Sequence, residues 1–146
     1  MGSIFRTADA AGVEKIILSG YTPTPLDRFL RERKDFSKVS LGAEKTVAWE
    51  HATQLVPVLK KLKKGGYKII AVEQDKNSVS LFDYTAKNKY ASRRLALILG
   101  NEVKGLSKSI LTQADTIVEI PMRGTKESLN VSVAAGVALF TLLGKS

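Results

Sequence analysis

At 146 residues, with 23 Lys and Arg against 14 Asp and Glu and a net charge of +9, the chain is long enough for one domain with its own hydrophobic core. It has no cysteine and a single histidine, His51, which excludes disulfides and a thiolate nucleophile and argues against a structural zinc site. The charge excess favours a polyanionic partner, nucleic acid before acidic membrane, over a basic surface kept for solubility alone.

The start, "MGSIFR", opens like a myristoylation pattern, but Arg6 stands where Ser or Thr is required. Arg6, Asp9, Glu14 and Lys15 interrupt the first twenty residues, so no apolar signal core forms there. No run reaches membrane-spanning length. These features predict a soluble protein of the cytoplasm, where the absence of cysteine is at home.

"VEKIILSG", Val13 to Gly20, is a short apolar run closed by glycine and reads as a buried strand. In "TPTPLDRFLRERKDF" two prolines set a loop. The spacing after them predicts a short helix with Leu26, Phe29 and Leu30 on its inner face and Arg28, Arg31, Arg33 and Lys34 outside. In "VAWEHATQL", Trp49 and His51 read as structural: Trp49 packs at the base of a sheet or at a dimer interface, and His51 is a surface or cap residue.

"LVPVLKKLKKGG" predicts a helix striped by Leu55, Leu59 and Leu62 and stopped at Gly65 and Gly66. Lys60, Lys61, Lys63 and Lys64 crowd its C-terminal end, where they suit the helix dipole as well as a polyanion. The strand "YKIIAVE" follows at once. "LALILG" is another continuous apolar strand, "SKSILTQA" a helix with Ser107 as its N-cap, and "TIVEIP" the last strand. Strands that are apolar throughout and alternate with helices predict an α/β fold built on parallel sheet.

In such sheets ligands gather beyond the carboxyl ends of strands. Two of these ends carry polar chemistry, "LILGNEVKGLS" and "VEIPMRGTKESLN". The stretch "GNEVKG" has neither the Lys-Ser/Thr ending of a phosphate loop nor the glycine spacing of a dinucleotide fingerprint. At the second end, Ser128, Asn130 and Ser132 stand where a charged loop becomes a helix rich in Ala and Gly. They can cap that helix ahead of a buried stretch, or hold a ligand at its free N–H groups.

Three stretches taken together resemble the motifs of the SpoU (TrmH-type) RNA 2′-O-ribose methyltransferases of the SPOUT superfamily. They are "GSIFRTADAAGV" (Gly2 to Val13), "LALILGNEVKGLS" (Leu95 to Ser107) and "IVEIPMRGTKESLNVSVAAGVALF" (Ile117 to Phe140). Weaker similarity in "SLGAEKTVAWE" and "GGYKIIAVEQ" extends the match along nearly the whole chain, as a single catalytic domain over residues 1–146. The resemblance implies a Rossmann-like parallel sheet with a C-terminal trefoil knot, a cofactor site for S-adenosylmethionine in the knot, no metal, and a homodimer. The family pattern places an Asn two positions before the glycine matched by Gly2, and a strand ahead of that. Neither lies in the sequence as given, so the expectation is a sheet without its first strand.

Carried over residue by residue, the resemblance puts the cofactor against Leu99, Gly100, Asn101, Ile120, Pro121, Met122 and Leu129. It puts Arg6, Glu102, Ser128 and Asn130 around the reaction, which would be methyl transfer to a ribose 2′-hydroxyl of tRNA or rRNA. A guanidinium is a poor proton acceptor. Arg6 is therefore better suited to grip the phosphate beside the target ribose and to stabilise the developing alkoxide. RNA contacts would draw on some of Arg28, Arg31, Arg33, Lys60, Lys61, Lys63, Lys64, Arg93 and Arg94. Two other functions fit the residues: a catalytically impaired knotted module that only binds RNA, and a nucleotide-binding protein with no RNA partner.

Overall fold

The apolar runs become parallel strands. The computed structural model describes residues 1–20, 22–88, 94–101 and 103–144, and its contacts divide the chain into two units, Met1–Leu55 and Val56–Ser146.

The first unit is built on α1 (Gly2–Ala11), β1 (Lys15–Ser19), α2 (Lys34–Ser40), α3 (Ala43–Thr46) and β2 (Ala48–Ala52). β1 and β2 pair in parallel, Lys15 opposite Ala48 through Ser19 opposite Ala52. The core is Phe5, Leu18, Phe36 and Ala43, with Ile16 and Trp49 packed against it. Phe5 and Phe36 meet edge to face at 5.1 Å, a geometry worth about 0.5–1.5 kcal/mol beyond the area it buries. α1 approaches α2 so closely that a Cβ on Gly2 would lie 2.8 Å from the Phe36 carbonyl oxygen. Gly12, at φ +78°, ends α1 in the left-handed conformation that glycine adopts without penalty. Trp49 thus has the structural role expected, and so does His51: its Nε2 donates to the Gly20 carbonyl at 2.8 Å and ties the end of β1.

One expectation is corrected here. Residues 26–33 form no helix burying Leu26, Phe29 and Leu30; they make a hairpin-like tip closed by an antiparallel bridge between Leu26 and Glu32. The physical reason is Asp27. Its Oδ1 accepts from the Phe29 and Arg31 backbone N–H groups at 2.8 and 3.0 Å, and its Oδ2 from Arg31 Nε at 2.9 Å. A short acidic side chain that captures nearby amides competes with the helical ladder. The Arg31 backbone N–H is also the main cause that holds the Asp27 carboxyl below its usual pKa. The helix begins only at Lys34.

The second unit holds α4 (Leu55–Lys64, its first residue belonging to the first unit), β3 (Lys68–Val72), β4 (Val79–Ser80), α5 (Leu81–Lys87), β5 (Leu95–Leu99), α6 (Lys108–Gln113), β6 (Thr116–Glu119) and α7 (Val131–Leu143). Its sheet is parallel throughout, in the order β4-β6-β3-β5. Central β3 buries Ile69, Ile70 and Ala71 completely, as a continuous apolar run in a covered sheet should. Around it pack Leu81, Tyr84, Val118 and Ala138. α4 buries Leu59 and stops at Gly66, φ +86°, with the Tyr67 N–H returning to the Leu62 carbonyl. The Ser107 side chain accepts from the Ile110 N–H and caps α6 as expected. Among the described residues no helix is long and apolar enough to cross a membrane.

Candidate functional site

Because β3, β5 and β6 run parallel, their carboxyl ends share one edge of the sheet in the second unit. The chain leaves that edge through residues 73–75, 100–101, 103–106 and 120–130, and these segments enclose a cavity of about 410 Å³. Leu99, Ile120, Met122 and Leu129 give it apolar walls. Among its described lining residues Glu73, Asp75 and Glu119 oppose Lys104, so an acidic cavity sits within a strongly basic chain.

Six of the seven residues expected to hold a ligand line this cavity: Leu99, Gly100, Asn101, Ile120, Met122 and Leu129. Pro121 is exposed and outside the lining. Of the four expected reactive residues, Ser128 lines the cavity. Asn130 is the N-cap of α7: its Oδ1 accepts from the Ser132 N–H at 2.9 Å and from the Ser132 hydroxyl at 2.6 Å. The amide-oxygen cap answers half of what the "SLNVS" stretch asks, and leaves the Asn130 NH₂ without a partner among the described residues. Arg6 belongs to the first unit, exposed on α1, and its side chain makes no hydrogen bond or ion pair among the described residues. Glu102 lies outside the described residues.

The 100–106 loop folds back on itself. Asn101 Oδ1 accepts from the Val103 and Lys104 N–H groups at 2.7 and 3.2 Å, and the Gly105 N–H donates to the Asn101 carbonyl at 2.8 Å. The returning strand of the loop presses on Gly100, where a Cβ would lie 2.7 Å from the Gly105 carbonyl carbon.

What pins the loop is Glu73, a residue the sequence did not single out. Its Oε2 accepts from the Leu106 N–H at 2.7 Å, and its own N–H donates to the Val118 carbonyl at 3.0 Å. It thereby fastens the ends of β3 and β6 to the loop after β5. A Cβ on Gly105, itself at φ +65°, would fall 2.5 Å from the same carboxylate oxygen. Glu73→Ala should leave the part-buried Leu106 N–H without its acceptor and cost about 1–3 kcal/mol. Glu73→Gln, which keeps an acceptor there, should recover most of it. Denaturant melts of the three proteins check this, and equal midpoints would refute it.

Several of the basic residues are held by local partners. Arg31 pairs with Asp27, Arg33 with Asp35 and Lys45 with Glu32. Arg94 Nη1 donates to the Gly65 carbonyl at 2.7 Å, and Arg93 lies outside the described residues. The lysines of α4 are exposed and make no ion pair among the described residues, but they lead into the amino end of β3, the sheet edge opposite the cavity. No cluster of three or more His, Cys, Asp or Glu side chains suited to a metal ion is found among the described residues.

Comparison with known proteins bears on this geometry. The profile of the SpoU rRNA Methylase family matches residues 1–140. The chain is 36% identical over 140 residues to the 23S rRNA (guanosine-2′-O-)-methyltransferase RlmB of Ralstonia nicotianae, covering 96% of this chain and 51% of that protein. It is 33% identical over 145 residues to a putative TrmH family tRNA/rRNA methyltransferase of Staphylococcus haemolyticus, covering 99% and 53%. The chain thus spans about half the length of the curated relatives it matches. Among solved structures, the A. aeolicus TrmH/SpoU tRNA modifying enzyme aligns with a TM-score of 0.79 at 30% identity, over 97% of this chain and 66% of that one. The AdoMet-bound rRNA methyltransferase of Sinorhizobium meliloti aligns with a TM-score of 0.81 at 27% identity, over 97% and 49%.

Proposed function

The chain belongs to the SpoU rRNA methylase family, and from that membership we propose that it transfers a methyl group from S-adenosylmethionine to a ribose 2′-hydroxyl of tRNA or rRNA. One observation carries the reading: six residues that the family resemblance assigns to the cofactor line a single cavity. Relatives named for tRNA and for rRNA support the substrate class.

The residues present fit the cofactor. Gly100 and Gly105 let the cavity loop fold tightly on itself and against the Glu73 carboxylate, where a Cβ would clash. The volume falls in the usual range for small-molecule sites, and the apolar walls suit an adenine ring. The acidic lining suits a cofactor that carries a positive sulfonium, the group that supplies an activated methyl. Leu99, Ile120, Met122 and Leu129 would hold the flat part of the cofactor, with Asn101 fixing the loop and Pro121 turning the chain beyond β6. Ser128 and the Asn130 amide would orient the ribose hydroxyl, Arg6 would grip the adjoining phosphate, and Glu102 would order the loop that contains it. No metal is required, because in-line placement of the hydroxyl carries much of the rate.

We read residues 1–146 as one catalytic domain, with the cofactor site in a C-terminal knot, because the family profile runs across both units. The protein would act in the cytoplasm as a homodimer. α7 supports the dimer: its sequence is apolar on every side, and Val133, Phe140 and Leu143 are exposed on it, whereas a helix of that kind is normally buried.

Calorimetric titration with S-adenosylhomocysteine tests the reading. The parent should bind in the micromolar range, and Asn130→Ala should bind about fivefold more weakly, since loss of an Asn N-cap costs around 1 kcal/mol and loosens the start of α7 beside the lining residues Leu129 and Val131. A folded, dimeric chain that retains RNA but binds neither S-adenosylhomocysteine nor S-adenosylmethionine would refute transfer and favour the impaired RNA-binding module.

A further inference from the structure

The tip at residues 26–33 presents its apolar residues to solvent: Phe29 is 62% exposed and Leu30 79%. It is not a loose loop. Asp27 accepts three hydrogen bonds across it, the Leu30 N–H donates to the Asp27 carbonyl at 3.0 Å, and the Arg33 N–H donates to the Pro25 carbonyl at 3.0 Å. Leu30 sits at φ +62°, a conformation that costs a non-glycine residue of order 1 kcal/mol. The ring of Phe29 lies under two guanidinium groups, Arg28 at 4.8 Å and Arg31 at 5.0 Å from its centroid. Arg31 is also held by Asp27, while Arg28 has no ion pair among the described residues. The Phe29 ring is absent from the first unit's core cluster.

We propose that this tip is an RNA-contacting surface, on which an unpaired base of the substrate stacks against the Phe29–arginine group while Arg28 meets the phosphate backbone. The inference rests on the RNA substrate assigned above and adds the place where the chain reads it. Three features point to RNA rather than to a protein partner. A planar ring combined with guanidinium planes offers the π-faces on which single-stranded bases stack. The Arg28 cation, with no ion pair among the described residues, needs an anion if it is covered, and an RNA backbone supplies one at every nucleotide. The tip is also closed by its own hydrogen bonds, so fewer backbone groups need ordering when a base docks.

The test uses the full chain with unmodified tRNA and rRNA transcripts, and measures RNA affinity across a salt series alongside S-adenosylhomocysteine titration and sedimentation. Phe29→Ala should weaken RNA binding about tenfold, since a stacked base loses its aromatic platform. It should leave the salt slope and the cofactor affinity unchanged, and Phe29→Trp should restore binding. Arg28→Gln should instead lower the salt slope by about one. RNA affinity unaltered in Phe29→Ala overturns the proposal. So does a change in sedimentation with RNA binding intact, which would place the tip against a second copy of the chain. A parent that binds the cofactor but no RNA overturns both this proposal and the substrate assignment. A parent that binds RNA in the expected Phe29-dependent way but no cofactor supports the tip and refutes the methyltransferase reading.

Discussion

Replacing Gly100 with alanine should abolish measurable cofactor binding, an effect of about a hundredfold or more. The added Cβ would lie 2.7 Å from the Gly105 carbonyl carbon, 2.9 Å from the Leu106 nitrogen and 3.0 Å from the Leu106 Cγ. Two of those atoms are backbone, and the backbone there cannot drift. Leu106 is held by the Glu73 carboxylate at 2.7 Å, and the loop ahead of it is closed by the Asn101 side chain and by the bond from Gly105 to Asn101. The strain must therefore displace the loop as a body. Overpacking of this kind costs typically 1–3 kcal/mol. Since each 1.4 kcal/mol is a factor of ten in affinity, the upper part of that range, spent where the loop faces the ligand, gives the hundredfold figure. Gly124→Ala is the matched control, because a Cβ there meets nothing within 4 Å. Titration with S-adenosylhomocysteine should find the Gly124 variant at parental affinity and the Gly100 variant without a signal. Parental affinity in the Gly100 variant would mean that the loop moves freely, and that the cradle is not part of the site.

The same loop marks where the sequence stops being informative. β1, β3, β5 and β6 were legible because each is a short apolar run closed by Gly or Pro or by a polar loop, most plainly β3, whose three central residues are fully buried. Ser107 was legible as a cap, and Asn130 as one of three candidates with Ser128 and Ser132, because a small polar side chain before an apolar helix satisfies an otherwise orphaned N–H. Residues 26–33 were misread because apolar spacing says nothing about competition from Asp27 for the amides that a helix would use. Glu73 was invisible for another reason. Its partner at Leu106 is 33 residues away, so nothing local distinguishes it from any strand-end carboxylate. The cavity itself follows from topology: residues 73–75, 100–101, 103–106 and 120–130 become neighbours only once β3, β5 and β6 are parallel. Before that, only the family resemblance tied Gly100 to Ile120 and Leu129.

Arg6→Ala should lower the rate of methyl transfer about a hundred- to a thousandfold, the usual consequence of removing one electrostatic partner of the transition state. Cofactor affinity should stay within a few-fold of the parent. Ile4, Phe5 and Ala8 bury the inner side of α1, and Gly2 brings that helix hard against α2. The backbone that carries Arg6 is therefore fixed by packing. The Arg6 guanidinium is nonetheless uncommitted among the described residues, unlike those of Arg31 and Arg33. A fixed backbone with a free planar cation suits bidentate contact to a phosphate and to charge that develops on the attacking oxygen. Lysine offers a point charge in place of the fork, so Arg6→Lys should recover only a small part of the rate. Single-turnover transfer at saturating S-adenosylmethionine separates the possibilities. A large rate loss with intact cofactor binding, partly restored by added guanidinium ion, would support the gripping role. Loss of cofactor binding in step with the rate would make Arg6 a structural residue of the first unit, and full activity in Arg6→Lys would show that a single positive charge is enough.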